Sequence, residues 1–581
     1  MDKKGIIAIA LAIATLVVWQ IYFAPKPPPP GSQPAVKAEG TPGTQPQLSS
    51  APTAIPAATA TPVSIDSKAK TPTTAEPSVE LKTETVPSPA VDYLFANLGG
   101  GISRAILKEH TNDNGTKVTL NEYGEFPIGA VSDQPGEDAL GAYTISAHPE
   151  NAEVVCERTT SGQLQIIKKF TLPKSGKGID AYSVGLEVTF VNRGDRPYKS
   201  AGAYVYTGGA ALIHKNDNPM YTSFDWYRSK LFNKDVNWFG AGRIPLLGVQ
   251  TSPEKAFFSE SADKISWAGV RNQYFATIIS TPEKNGAGVW SRRFPVTIGD
   301  RAGFGIEGAL VMPAFSLKPG EVVHQQFRLW VGPKQYSLLK KLGDEQDQIM
   351  NFGMFRIVSE TLLTSMNWLC HVLWNSYALA IIVLTLIIKS LLWPLQNAST
   401  KSMKKMQALQ PKMKELQEKY KDDPTRMNQE TMKLYKDYGV NPVSGCLPMF
   451  VQIPIFFGFY SMLGTSIELR NSKFLWVNDL SQPDTLFYLG AGMTYPVNIL
   501  PLCMAVTMLW QMMLTPKSGD QTQQRIMMFM PLIFIAFCYN FASALALYWT
   551  VQNIFSIVQL YLTRNSTAPE LKKLTPPRKK R

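Results

Sequence analysis

The hydrophobic and polar positions of the 581-residue chain follow two different periodicities. Apolar runs with few or no charges occupy residues 5–24 and several stretches after residue 371, and each is close to the roughly 20 residues that cross a bilayer. Between them, polar and apolar residues alternate in short segments, as at residues 183–191. Such alternation is typical of strands. The pattern predicts a polytopic α-helical membrane protein that carries a large all-β domain.

The first apolar run follows two lysines and predicts an N-terminal transmembrane anchor at residues 1–24. A cleaved signal peptide is the alternative, but Tyr22, Phe23 and Ala24 place bulky residues where cleavage prefers small ones. Residues 25–90 hold fifteen prolines and no aromatic residue. Such a segment buries too little apolar surface to offset its ordering entropy, which predicts a disordered linker on the exported side.

Residues 91–335 have the composition of a folded β protein, and their length predicts a large sandwich. His148, His214 and His324 lack metal-ligand spacing and an obvious carboxylate partner in the sequence. The five cysteines of the chain are scattered without a CxxC motif, and there is no Walker A pattern. The sequence therefore predicts no metal, no cofactor and no enzymatic active site.

Residues 352–371 predict an amphipathic helix, because polar residues recur every three or four positions from Arg356 to His371. Directly before a span, such a helix is expected to lie in the membrane interface, and the alternative is a helix packed on the β domain. Residues 397–440 predict a charged cytoplasmic helical hairpin whose first arm is kinked or split at Pro411. This hairpin is either a partner surface or a solvated linker. Its basic side chains are the candidate contacts: Lys401, Lys404, Lys405, Lys412 and Arg426.

The charge distribution predicts six spans with both termini in the cytoplasm. Residues 526–563 carry no charge over 38 positions, which as one helix would measure about 57 Å, so they are divided near residues 540–543. The tail at 564–581 is basic, as is the whole chain, with a net charge of +13. The remaining segments are spans at 372–396, 443–467, 495–515, 525–541 and 542–563, and a loop on the exported side at 468–494.

The span at residues 372–396 contains one charge, Lys389. A lysine at the bilayer centre costs on the order of 2.5–3.5 kcal/mol on insertion scales, so something must compensate it. Thr385 lies one turn away, and Gln452 and Tyr548 occupy other spans. A polar cavity formed by these groups is one explanation. The other is that the lysine stem snorkels to the inner headgroups.

Several motifs resemble the YidC/Oxa/Alb3 family of membrane protein insertases, in its Gram-negative layout. They are the run NPVSGCLP at residues 441–448, QIPIF at 452–456, IELR at 467–470, QQRIM at 523–527 and Met530-Pro531. The resemblance implies an exported β-supersandwich and a five-helix core with a hydrophilic groove. It places five residues in the groove or in contact with substrate: Lys389, Thr385, Gln452, Tyr548 and Trp549. Two departures, Trp549 for tyrosine and the sequence FASA at 541–544, leave local contacts open.

The same resemblance implies function and partners. The expected function is to insert inner-membrane proteins and to help them fold and assemble, alone or with the Sec translocon (SecYEG and SecDF). Nascent membrane proteins, the ribosome, the signal recognition particle pathway and the lipid bilayer are the implied partners. A small-solute transporter that uses Lys389 is the alternative, although the sequence has no internal repeat. A carbohydrate enzyme built on the β domain would need a histidine–carboxylate pair.

Overall fold

The computed structural model describes residues 80–112, 114–136, 139–214, 217–243, 250–421, 423–490, 495–515, 521–563 and 573. The predicted anchor, the linker up to residue 79 and the basic tail apart from Lys573 lie outside the described residues. Their predictions therefore stay predictions.

Two large antiparallel sheets form most of the β domain, and the smaller one packs on the larger one. The nine-stranded sheet consists, in spatial order, of β13 (Leu231–Asp235), β12 (Ser223–Tyr227), β17 (Trp267–Arg271), β18 (Phe275–Ser280), β22 (Val322–Pro333), β9 (Ser183–Asn192), β8 (Leu164–Thr171), β7 (Glu153–Thr159) and β6 (Thr144–His148). The five-stranded sheet consists of β16 (Phe258–Ile265), β19 (Gly286–Ile298), β20 (Arg301–Val311), β11 (Tyr204–Ala210) and β5 (Val131–Ser132).

Smaller sheets complete the strands. A four-stranded sheet runs in sequence order through β1 (Thr83–Pro87), β2 (Val91–Ala96), β3 (Gly101–Thr111) and β4 (Lys117–Leu120). Three two-stranded pairs follow: β10 (Tyr198–Ser200) with β21 (Phe315–Leu317), β14 (Gly242–Arg243) with β15 (Gln250–Ser252), and β23 (Thr485–Leu489) with β24 (Tyr495–Asn498).

The alternating pattern at residues 183–191 produces the expected burial. Val184, Leu186, Val188 and Phe190 of β9 are buried, and they join one continuous hydrophobic core. Burial on the inner face pins the strand register, because a slip of one residue would turn these side chains to solvent. The sequence pattern therefore identified this β domain correctly.

The predicted boundary between linker and β domain, at residue 90, is wrong. Residues 83–87 form β1, which pairs antiparallel with β2 from Thr83–Ala96 to Pro87–Asp92. The sequence analysis missed this strand because the surrounding segment is rich in proline. The prolines at its end do not prevent pairing, since Pro87 is the last paired residue and Pro89 lies beyond it. Proline is tolerated at such an edge position, where its missing N–H costs no ladder bond.

The expectation that the domain histidines lack carboxylate partners is also wrong for two of them. The Nδ1 atom of His324 lies 3.4 Å from Glu187, its neighbour on the adjoining strand, and that of His148 lies 3.8 Å from Glu150. Both histidine side chains are at least half exposed, at 59% and 50%. Such exposed surface pairs contribute little to stability and form no enclosed site.

Nine helices are described. They are α1 (Tyr336–Leu342), α2 (Arg356–Val372), α3 (Tyr377–Leu391), α4 (Trp393–Lys419), α5 (Pro424–Asp437), α6 (Pro442–Thr465), α7 (Ile499–Leu514), α8 (Gln521–Cys538) and α9 (Ser543–Thr563). Among the described residues, two helical segments, Leu447–Thr465 and Ser543–Thr563, are long and apolar enough to cross a membrane. The pair α3 and α4 makes a third if it is taken as one span bent by 57°, and α7 and part of α8 are shorter apolar helices.

The bend between α3 and α4 shortens the predicted span at 372–396. Helix α3 begins after Ser376, whose side chain accepts a hydrogen bond from the Leu379 N–H, and it ends at Leu391. Pro394 then lies in the first turn of α4, where the missing N–H is harmless. The apolar run therefore continues beyond the helix that contains Lys389 and into the first turn of the next one.

The helices α4 and α5 form the predicted hairpin, around a small core of Leu409, Tyr435 and Val440. Helix α4 is not split at Pro411 but continues to Lys419. The base of the hairpin is attached to α6, because Ser399 Oγ donates a hydrogen bond of 2.8 Å to the Gly445 carbonyl. The hairpin and α6 are therefore directly joined.

The amphipathic helix α2 packs against α3 and α6. Ser359 Oγ donates to the Gly458 carbonyl of α6 at 3.1 Å, and a Cβ on Gly458 would come within 2.7 Å of Val358. This close approach requires glycine at position 458. The polar stripe starts with Arg356, which pairs with Asp347 and Glu360, while Trp368 remains 64% exposed.

Candidate functional site

The side chain of Gln452 is the centre of a polar cluster between three helices. It lies on α6, and its Nε2 donates hydrogen bonds of 3.0 Å each to Tyr548 Oη and to Gln552 Oε1, both on α9. Its Oε1 faces Lys389 Nζ of α3 at 3.5 Å. A single amide therefore connects the three helices through its donor and acceptor atoms.

Lys389 contacts no carboxylate within the described part of the chain. Its contact with Gln452 is at the long limit of a hydrogen bond. A cavity of about 10 Å³ lies beside it, enclosed by Leu392, Leu395, Gln396, Pro448, Gln452 and Gln559. That volume is close to the space of a single water molecule. The cation is therefore held by neutral polar groups in a narrow space.

Tyr548 is the most enclosed member of the cluster. Its side chain is 2% exposed, and its ring stacks on Phe459 of α6 with centroids 4.1 Å apart. The stack positions the hydroxyl so that it accepts from Gln452. The sequence prediction that Lys389, Gln452 and Tyr548 converge agrees with this geometry.

Thr385 and Trp549 lie next to the cluster but make other contacts. Thr385 is 1% exposed and donates to the Ile381 carbonyl of its own helix at 2.7 Å. Trp549 packs edge-on against Phe456 and Phe534, with centroids 4.7 and 4.6 Å away. Trp549 therefore belongs to an aromatic contact between helices α6, α8 and α9 and not to the hydrogen-bond network.

The polar face of α9 extends further than the sequence analysis proposed. Gln559 Nε2 donates to Asn397 Oδ1 at 3.1 Å, and Gln559 also borders the small cavity beside Lys389. Neither Gln559 nor Asn397 was predicted. The sequence signal that could have identified Gln559 is its spacing from Tyr548 and Gln552, which places all three residues on one side of a helix.

The five predicted basic residues of the hairpin do not share one surface. Lys404 Nζ donates to the Thr563 carbonyl at the end of α9, at 2.8 Å. Lys412 contacts Tyr438, and the Arg426 guanidinium lies over the Tyr420 ring at 5.5 Å. Lys401 is exposed and Lys405 is partly buried. Lys404 thus contacts the helical core, while the other four belong to the hairpin itself.

The β domain joins the helical part through a polar contact. Arg470 follows α6 and donates to His214 Nε2 at 2.9 Å, and its guanidinium lies over the Tyr274 ring. Gln482 donates to Asp217 at 3.3 Å. Burial raises the pKa of Asp217 above its usual range. His214 also borders a cavity of about 400 Å³ in the β domain, and Arg470 already engages its imidazole.

Comparison with known proteins identifies the family. Residues 84–365 match the YidC periplasmic domain, and residues 368–570 match the 60Kd inner membrane protein family. The membrane protein insertase YidC of Syntrophus aciditrophicus is 33% identical over 97% of this chain and 99% of its own. That of Citrifermentans bemidjiense is 34% identical over the same shares. The chain belongs to the YidC family of membrane protein insertases.

The YidC family is one of inner-membrane proteins with a periplasmic domain, and the β domain described above is that domain. A crystal structure of an active YidC insertase with its first transmembrane domain resolved covers 83% of this chain and 92% of its own, at 19% identity and a TM-score of 0.34. The family assignment therefore rests on the sequences.

Proposed function

We propose that this chain inserts membrane proteins into the inner membrane and helps them fold and assemble, and that the cluster around Lys389 receives the polar part of the substrate. The observation that carries this proposal is a half-buried cation that faces an amide and no carboxylate among the described residues. The YidC names of its relatives support the same function.

The charge of Lys389 defines the first step. An acidic residue in the short polar terminus of a nascent chain would pair with Lys389 and replace its weak contact with Gln452. Pairing offsets the desolvation of both groups, which is large for an isolated buried charge. Gln452, Gln552 and Tyr548 supply hydrogen-bond partners for the polar backbone that follows. Thr385 and Trp549 border this path, on the Lys389 face of α3 and on α9.

The driving force comes from the substrate itself. Burial of roughly 20 apolar residues in lipid contributes about 25 cal/mol per Å² of apolar surface. The membrane potential adds about 2.3 kcal/mol per elementary charge per 100 mV. The substrate segment would leave the cluster along α6 and α9, which present Gln452 and Tyr548. No nucleotide is required for these steps.

The helical hairpin is the proposed cytoplasmic contact for the ribosome, the signal recognition particle pathway or the nascent chain. Its exposed Lys401, Lys412 and Arg426 support this role, whereas Lys404 is engaged with α9. Cooperation with the Sec translocon is part of the same proposal. With both termini in the cytoplasm, the basic tail would lie on the hairpin side.

Site-specific photocrosslinking tests the proposal. Crosslinkers at positions 385, 389, 452 and 548 are expected to capture a short single-spanning substrate stalled on ribosomes. Lys389→Glu is expected to abolish insertion when the substrate terminus is acidic, whereas Lys389→Arg retains the charge and most of the activity. Unchanged insertion by Lys389→Glu would refute the charge role. Absence of crosslinks, together with solute flux that depends on Lys389, would favour a transporter instead.

A further inference from the structure

The hairpin formed by β23 and β24 exposes apolar side chains on both of its faces. The sequence analysis placed residues 468–494 in a loop on the exported side and started a span at 495, but residues 495–498 are a strand and α7 starts at Ile499. Between Asp484 and Lys517 the chain has no charged residue. The exposed side chains of the hairpin are Leu486, Phe487, Tyr488, Leu489 and Tyr495, each between 47% and 72% exposed.

The base of this hairpin is fixed to the helical core. Asn498 is fully buried, and its Nδ2 donates to the Tyr539 carbonyl at 2.7 Å, while Thr485 Oγ1 donates to Asn498 Oδ1. Tyr539 Oη donates to the Pro496 carbonyl at 2.7 Å. Tyr539 follows α8, so the hairpin is attached to the ends of both α7 and α8. Its exposed strands are therefore held at a defined position at the ends of two apolar helices.

That position is on the periplasmic side of the bilayer. The segment between α6 and the hairpin contacts the periplasmic domain through Arg470 and Gln482. Helix α7 has 16 residues, or about 24 Å, which is shorter than a hydrocarbon core of about 30 Å. The uncharged strand β24 runs directly into α7 and extends its apolar surface at the periplasmic end.

We propose that the β23–β24 hairpin is an interfacial anchor that binds the lipids of the periplasmic leaflet. A protein partner would cover one face and leave the other in water, whereas lipid surrounds both faces. A two-stranded hairpin is marginally stable in water, so burial of its side chains in the interface also stabilises the hairpin itself. Tyr488 and Tyr495 are of the type that is enriched at membrane–water interfaces.

The absence of charge on the hairpin defines the lipid chemistry. Anionic headgroups attract basic segments electrostatically. The described strands of this hairpin have no basic residue. Binding should therefore depend on apolar insertion and be the same for zwitterionic and anionic lipids.

Lipid photocrosslinking in the reconstituted full-length protein tests this proposal. A benzophenone amino acid replaces Phe487 or Leu486, which occupy successive positions of β23, in vesicles of phosphatidylcholine with or without phosphatidylglycerol. The matched control is the same replacement of Phe257, which is 59% exposed on the periplasmic domain. After irradiation, intact mass spectrometry counts lipid adducts, and insertion activity reports that each variant is folded.

Lipid adducts at both 486 and 487, several-fold above those at 257 and equal in the two vesicle types, are the expected result. Adduct yields at 486 and 487 no higher than at 257 would overturn the proposal. Crosslinked dimers in place of lipid adducts would assign the surface to a second copy. Adducts that require phosphatidylglycerol would overturn the apolar mode of binding.

Discussion

Two buried or half-buried cations, Arg271 in the periplasmic domain and Lys389 in the helical core, have opposite environments. Arg271 is 1% exposed, its Nε lies 3.0 Å from the Asp225 carboxylate, and its Nη1 donates to the Tyr221 carbonyl at 3.1 Å. Ser223 Oγ donates a further hydrogen bond of 2.5 Å to Asp225 Oδ2. Lys389 has one amide contact at 3.5 Å and no carboxylate among the described residues.

The difference in partners distinguishes a cation with a structural role from a cation without a fixed carboxylate partner among the described residues. A buried ion pair needs good geometry and additional hydrogen bonds to offset desolvation, and the pair in the periplasmic domain has both. A planar guanidinium suits such fixed pairing, whereas an ammonium on a flexible stem can change partners. Arg271 therefore maintains the fold, and the proposed function assigns Lys389 as the cation that a substrate carboxylate would reach.

The largest expected effect is the loss of the structural pair. Arg271→Met should destabilise the periplasmic domain by about 3–5 kcal/mol, because it leaves the fully buried Asp225 carboxylate without its partner. Thermal unfolding of the full-length protein, followed by the β circular dichroism signal, measures it. The double variant Arg271→Met with Asp225→Leu should recover much of the loss. A double variant as unstable as the single one would contradict this explanation.

Glu468 extends the comparison to a buried acid outside the spanning helices. It faces Asn367 and Tyr377, and burial raises its pKa from 4.5 to about 7. Between pH 4.5 and about 7 the folded state therefore binds more protons than the unfolded state. The free energy of unfolding falls as the pH rises through this range.

Glu468→Gln removes the cost of burying the ionised carboxylate. It should raise stability by about 3 kcal/mol above pH 7, the equivalent of the pKa shift, and have no effect below pH 4.5. Melting temperatures of both proteins at the two ends of the window measure the difference. A stabilisation that is equal at both ends would mean that the carboxyl is not buried as described.

Lys389→Met should lower insertion and not stability, the reverse of the effect at Arg271. Insertion of a substrate with an acidic terminus should fall about tenfold, equivalent to about 1.4 kcal/mol, while the melting temperature stays the same or rises, because no carboxylate loses its partner. A proteoliposome insertion assay measures it, with Lys389→Arg as the control. An equal loss for a substrate with a neutral terminus would contradict the charge role.

The smallest effect concerns the neutral network around the cation. Tyr548→Phe removes one hydrogen-bond acceptor of Gln452 but keeps the ring stack on Phe459. It should therefore lower the free energy of unfolding by about 1 kcal/mol. Melting temperature and the substrate crosslinks from position 452 measure it. Trp549→Phe, which keeps an aromatic ring against Phe456 and Phe534 and removes no hydrogen bond of Gln452, should change those crosslinks less. If both variants alter them equally, general packing explains the effect.

Local patterns predicted the elements better than their ends. Strand β9 and the first arm of the helical hairpin follow from periodicity, because a core-facing side chain must recur with the period of its element. Strand β1 and the β23–β24 hairpin were missed. Strand β1 was missed because it lies in a proline-rich segment. The second strand of the β23–β24 hairpin was assigned to a span because it is uncharged and continues directly into an apolar helix.

For the candidate site, polarity within apolar segments was the informative signal. Lys389, Gln452 and Tyr548 were identified because each is polar where its neighbours are not. Trp549 was placed with them by resemblance, yet it packs on Phe456 and Phe534. Consecutive residues of a helix point about 100° apart, so Tyr548 and Trp549 face different neighbours.

The sequence by itself determined the membrane class, the separate β domain, the family motifs and the unusual lysine, because these depend on composition and period. The tertiary structure decided which polar groups touch: the bridge from Lys389 through Gln452 to Tyr548, the pairing of Arg271 with Asp225, and the attachment of the β23–β24 hairpin to Tyr539. Such contacts join residues far apart in the chain. Their partners are set by how helices and sheets pack, which local periodicity does not encode.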